Sequence, residues 1–230
     1  FDEDLIHLRR RVGELGALVQ AQVEVAARAV LTGDPALADY GAATHAEVRA
    51  LRTELEQECN LLIARRAPIA SDLRLVIACL KAITDLERAG NEARKIAGFA
   101  RHLAESGESS EASRGVRHLA ELAAQLLAES VRTFVALDAD AALSVWRSDK
   151  EVDREYDSLQ RQCVTYLLER VPSCRHIVDV LWVGRSLERI GDHAKNIAEY
   201  VVYVVYGKDV RHKPLKDVEL EISAREAAAV

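Results

Sequence analysis

The chain repeats itself. Leu86-Glu87-Arg88-Ala89-Gly90-Asn91-Glu92-Ala93-Arg94-Lys95-Ile96-Ala97 returns as Leu187-Glu188-Arg189-Ile190-Gly191-Asp192-His193-Ala194-Lys195-Asn196-Ile197-Ala198, at a constant offset of 101 positions. The likeness extends upstream, where Cys59, Arg66 and Pro68 recur as Cys163, Arg170 and Pro172 at an offset of 104. A repeat this long is a folding unit in itself, whereas solenoid repeats run to about 20–50 residues. The fold must therefore be one that two copies of the same small domain can build.

Each copy reads as helices. Leu5, Leu8, Val12, Leu15, Val19, Val23, Ala26 and Val30 step by three and four, which keeps one stripe of a helix against its neighbours. Six helices are expected, at about 3–32, 35–66, 71–104, 112–137, 139–170 and 175–206. Gly33-Asp34-Pro35, Pro68 and Gly207 supply breaks. Ser106-Gly107-Glu108-Ser109-Ser110 is the linker between copies. Long helices joined by short turns fold back on one another. The expected architecture is all-α, with two tandem three-helix bundles over 1–105 and 112–207, related by a pseudo-two-fold. A polar tail over 208–230 is expected to be disordered, although Val218, Leu220 and Ile222 alternate weakly.

Composition narrows the function classes. A net charge of −6 argues against general nucleic-acid binding. The longest apolar runs fall short of the ~18–20 residues a transmembrane helix needs, and the acidic opening Phe1-Asp2-Glu3-Asp4 is unlike a signal peptide. A cytoplasmic protein is expected. With no methionine anywhere, the chain is expected to begin inside a longer coding sequence. Cys59, Cys79, Cys163 and Cys174 lie among apolar residues without Cys-x-x-Cys spacing, so buried thiols are expected.

With a duplicated bundle and a doubled Leu-Glu-Arg-x-Gly-[Asn/Asp] signature, the chain resembles the PhoU family. Pro68-Ile69-Ala70-Ser71-Asp72-Leu73-Arg74 carries the likeness in the first copy. In the second it rests on Asn196-Ile197-Ala198-Glu199, Val201, Tyr203, Gly207, Val210, Arg211 and His212. The resemblance implies a cytoplasmic, often homodimeric regulator, not an enzyme, that can lie against the inner face of the plasma membrane. Such a protein restrains phosphate uptake and the phosphate-starvation response. Its implied partners are the phosphate-specific ABC transporter ATPase and the phosphate-sensing histidine kinase. It also implies metal binding through carboxylate pairs four residues apart on two helices of each repeat.

Those pairs can be sought residue by residue. Asp149 with Asp153, and Glu188 with Asp192, each stack on one helical face, so two antiparallel helices could present four carboxylates to one cation. All-oxygen ligation suits Mg, Mn or Ca, and Fe with bridging ligands; Zn is the remaining candidate. In the first repeat Glu87 is kept, but Asn91 stands for Asp192, His45 for Asp149 and Arg49 for Asp153. An arginine offers no lone pair, which makes a metal there doubtful. Arg88 and Arg189 read either as interhelical clamps or as partner contacts, and Gly90 and Gly191 as points of close helix approach.

Two alternatives from other classes remain. A carboxylate-bridged metalloprotein of the di-iron type would carry Glu-x-x-His pairs, and this sequence has none. A purely structural bundle has little use for identical polar residues on both copies. No Gly-rich phosphate loop is present, so direct phosphate sensing finds no support in the sequence.

Overall fold

A computed structural model describes residues 2–106, 111–169, 174–210 and 213–229. The linker residues 107–110 and the matched Arg170, Pro172, Arg211 and His212 lie outside them. Eight helices and no strand occur among the described residues: α1 (Asp2–Thr32), α2 (Pro35–Ala43), α3 (His45–Arg66), α4 (Ala70–Ser106), α5 (Glu111–Ala136), α6 (Ala139–Glu169), α7 (Cys174–Tyr206) and α8 (Leu215–Ala229).

The expected breaks are present. Gly33 turns with φ 65°, its N–H bonding to the Ala29 carbonyl at 3.0 Å. Asp34 then caps α2 by accepting from the Ala36 N–H, with Pro35 in the first turn. Gly207 closes α7 in the left-handed region, its N–H bonding to the Tyr203 carbonyl at 2.9 Å. Ala67 ends α3 in the same region without being glycine.

Two of the expected elements are corrected. The helix expected to run unbroken to Arg66 divides at Thr44. There the Gly41 carbonyl, which a continuing helix would bond to His45, instead accepts from the Gln22 side chain at 3.1 Å and the Thr44 hydroxyl at 3.2 Å. The tail expected to be disordered carries α8, which buries Val218 and Ile222 and is pinned by Arg147 to Glu219 at 2.6 Å. Those two side chains lie four apart, so the weak alternation noted in the sequence is one stripe of a helix.

The two bundles share one core. All eight residues of the α1 stripe are buried, and so are Leu187, Ile190, Ala194, Ile197 and Val201 of α7. Within the first repeat α4 packs on α1, α2 and α3; within the second α7 packs on α5 and α6. Between repeats α1 lies against α5 and α4 against α7. Each inter-repeat contact thus joins a helix to its own copy, as a pseudo-two-fold requires. Cys59, Cys79 and Cys163 are buried free thiols, whereas Cys174, expected to be buried, is exposed at the start of α7. Burial pushes the Cys59 thiol up to about 12 and the Cys163 thiol to about 11, so both stay protonated and inert.

Candidate functional site

The second-repeat carboxylates do gather. Gly191 brings α6 against α7: a Cβ at that position would sit 3.1 Å from Val152 Cγ1 and 3.6 Å from Asp149 Oδ1. Asp149 is buried, and Lys195 Nζ stands 3.2 Å from its Oδ2. Glu188 is held through Oε1 by Arg185 at 2.7 Å, while its Oε2 is buried with no hydrogen-bond partner. Arg185 also lies over the Tyr156 ring at 5.9 Å.

Electrostatics makes one unit of the group. Burial raises the pKa of Asp149, and Asp153 and Asp192 add to the rise against the opposing Lys195. Burial and then Asp192 raise Asp153. Burial and then Asp192 also raise Glu188, with Arg185 pulling the other way. Four carboxylates with two cations leave an excess of negative charge. Yet among the described residues no three His, Cys, Asp or Glu side chains converge closely enough to hold a metal ion. The charge and the hard oxygen donors suit a cation by type, but the side chains do not converge on one position, and the cation beside Asp149 is the Lys195 ammonium.

The first repeat reproduces the scaffold without the charge. A Cβ at Gly90 would lie 3.4 Å from Val48 Cγ1 and 3.6 Å from His45 Nδ1, the counterparts of Val152 and Asp149. Glu87 is tied to Arg52 at 3.1 Å, and Arg52 also holds Glu56 at 2.8 Å. Glu87 and Asn91 therefore offer no ligand pair: one is committed to a guanidinium and the other is uncharged.

The two signature arginines meet at the junction of the repeats. A groove of about 550 Å³ between α4 and α7 is lined by Arg88, Asn91 and Glu92, by their copies Arg189, Asp192 and His193, and by Asn196. Arg189 reaches across to Glu92 at 3.6 Å, so it acts in part as an interhelical clamp. Glu92 is held more closely by Lys95, at 2.8 Å. Arg88 shares the groove with His193, the copy of Glu92, and makes no ion pair among the described residues.

Beside the groove is a network that sequence reasoning missed. The buried Asp85 of α4 accepts from His193 Nδ1 at 2.8 Å, Tyr200 OH at 2.6 Å and Asn196 Nδ2 at 3.3 Å, all on α7. Burial pushes the Asp85 carboxyl up, but the bonds from His193 and Tyr200, the His193 charge and the Asn196 bond outweigh it and hold the pKa low. The available signal was one acidic residue inside the apolar run Ala82, Ile83, Leu86, Ala89. No motif marks it, because its partners lie more than a hundred residues away.

Comparison with known proteins fits this geometry. The family model of the PhoU domain matches twice, over residues 12–100 and 116–201. A phosphate-specific transport system accessory protein PhoU homolog from Pseudomonas putida is 41% identical over 99% of this chain and 89% of its own length. The Escherichia coli K12 accessory protein PhoU is 34% identical over 92% of this chain and 88% of its own. Among solved structures, PhoU from Pseudomonas aeruginosa superposes with a TM-score of 0.87 at 41% identity, covering 90% of this chain and all of that one. The phosphate transport system regulatory protein PhoU from Streptococcus pneumoniae gives 0.82 at 26% identity, over 90% of this chain and 98% of its own.

Proposed function

The chain belongs to the PhoU family, and from that premise we propose that it regulates phosphate uptake and the phosphate-starvation response as an adaptor between the phosphate-specific ABC transporter and the sensor histidine kinase. The observation that carries the adaptor reading is the junction groove. Both copies of the signature arginine open onto it, and Arg88 makes no ion pair among the described residues. An exposed guanidinium has five donors in a fixed fork and suits a carboxylate on a docking protein. The accessory role of the relatives favours regulation over catalysis. A protein acting on a membrane transporter must reach it from outside the bilayer, since no described helix is long and apolar enough to cross a membrane. Action at the cytoplasmic face is part of this reading, and so is a homodimer.

A second reading, metal binding in the second repeat, is favoured by the orphaned Glu188 Oε2 and the mutual repulsion around it. Asp149, Asp153, Glu188 and Asp192 would have to close on one another to hold the ion, which would then supply positive charge to the cluster alongside Lys195.

The regulatory reading is tested in cells grown with ample phosphate. Deleting the gene should leave starvation genes switched on. Arg88→Glu should reproduce part of that effect with an unchanged melting temperature, because the side chain makes no internal ion pair to lose. A deletion strain that still represses those genes normally would overturn the proposal.

A further inference from the structure

The outer face of α6 and α7 carries an apolar patch that the first repeat lacks. Gly184 of α7 meets Leu159 of α6 and Gly191 meets Val152, so the helices run antiparallel, with Val178 level with Thr165 and Trp182 level with Arg161. At that end four apolar side chains stand in solvent: Val164 and Leu168 of α6, the latter 82% exposed, and Val178 and Trp182 of α7, the latter 55% exposed. The matching positions of the first repeat hold Asn60, Ala64, Ile77 and Lys81. The same bundle therefore folds without a large apolar group at three of the four, and burial in this chain does not explain them.

The same face is acidic at its other end. Asp153 and Val164 are eleven residues apart, which brings them to within about 20° of one another around α6. Val178 and Asp192 are fourteen apart and agree to within about 40° around α7. Asp149 is taken by Lys195 and Glu188 by Arg185, which leaves Asp153, Asp157 and Asp192 exposed, with no ion-pair partner among the described residues. The cations Lys150 and Arg154 each follow one residue after an aspartate of the cluster and so sit about 100° round the helix. In the first repeat Arg49, Thr53 and Asn91 stand for the three free carboxylates. Both halves of the face thus belong to the second repeat alone.

We infer that this α6–α7 face is a docking surface for a helix of a partner protein, basic along one half and apolar along the other. Two antiparallel helices leave a groove between them that accepts a third, anchored by apolar side chains three and four residues apart. From Asp149 to Leu168 the face is roughly 28 Å long, which a helix of about 19 residues spans. Charge selects among the occupants. Three unpaired carboxylates repel an anionic lipid surface, and a second copy of this chain would bring the same carboxylates with no free cation on that face to meet them. Lysines or arginines beside an apolar stripe complement both halves at once. The surface uses neither Arg88 nor Arg189, so it stands whether or not the junction groove holds a partner.

Trp182 reports on the surface directly, because the other tryptophan, Trp146, is buried. The probe is a synthetic helical peptide of about 20 residues, with lysines on one face of its first half and leucines on the same face of its second. Added to the full chain with EDTA present, it should shield Trp182 from acrylamide and shift its emission to the blue. Glutamates in place of the lysines should abolish both effects. By anisotropy of the labelled peptide, Leu168→Ser should weaken binding about tenfold and Asp153→Asn about threefold. Tyr40→Ser, at an exposed aromatic on α2, should bind like the parent. Circular dichroism confirms that each variant is folded. A peptide that leaves Trp182 unshielded would overturn the inference, and so would binding that Leu168→Ser and Asp153→Asn both leave unchanged. Shielding by phosphatidylserine vesicles, or by self-association of the chain, in place of the peptide would assign the face to a membrane or to a second copy and overturn it as well.

Discussion

At the scale of residues, the second-repeat cluster makes a prediction about pH. Asp149, Asp153 and Glu188 have pKa values raised by burial, so the folded chain takes up their protons at higher pH than the unfolded chain does. The sign follows: they favour folding while protonated, and that stability is lost as pH rises through the raised values. Metal-free Asp192→Asn should therefore be more stable than the parent at neutral pH by about 0.5–1 kcal/mol, with the gain fading as acid neutralises the cluster. Urea unfolding at several pH values checks this. If a cation occupies the site, elemental analysis should show that the variant binds less of it, and the stability change in the loaded protein should reverse. Asp85 behaves oppositely, contributing stability that is lost as pH falls through its lowered pKa. The four carboxylates were legible because spacing of four and a duplicated register locate them. Lys195 and Asp85 were not, since a lysine in a polar stripe and an aspartate in an apolar one acquire meaning only from what lies across the helix interface.

At the scale of elements, glycines separate close packing from open surface. Gly16 of α1 faces Val131 of α5, where a Cβ would lie 2.5 Å from Cγ1 and 3.1 Å from Cβ of a stiff, branched side chain. Gly98 of α4 has nothing within 4 Å of that position. Gly98→Ala should stabilise by about 0.5–1 kcal/mol through helix propensity alone. In Gly16→Ala the same gain should be outweighed by overpacking, for a net loss of about 1 kcal/mol. Thermal melts of the two variants should shift in opposite directions. The long helices were legible because stripes such as Leu5 to Val30 span many turns and their ends carry Gly or Pro. The break at Thr44 was not, because it depends on Gln22, on another helix, taking the Gly41 carbonyl. The tail helix escaped notice for a related reason. Val218 and Ile222 make too short a stripe to stand out in a polar segment, and their burial comes from the second bundle.

At the scale of the whole molecule, α8 is an attachment to a core built by the other helices. It is held by the buried Val218 and Ile222, by the partly buried Leu215, and by surface ion pairs from Arg147 to Glu219 and from Lys208 and Lys213 to Glu221. Exposed pairs contribute little and are screened by salt, so α8 should open well before α1–α7 unfold. Hydrogen exchange should show its amides exchanging about a hundredfold or more faster than those in the middle of α7, and ending the chain after Lys208 should leave the remaining helices folded. The pairing of α1 with α5 and of α4 with α7 has a consequence during synthesis. Half of the shared core comes from the repeat translated second, so the first emerges with the inner faces of α1 and α4 uncovered. At the usual elongation rate of about 5–20 residues per second, that face waits on the order of ten seconds for its match. Two chains growing side by side on one message could each complete the other during that interval. The duplication that builds the monomer therefore also supplies the means for an exchanged dimer, in which each half-core is closed by a neighbour's second repeat.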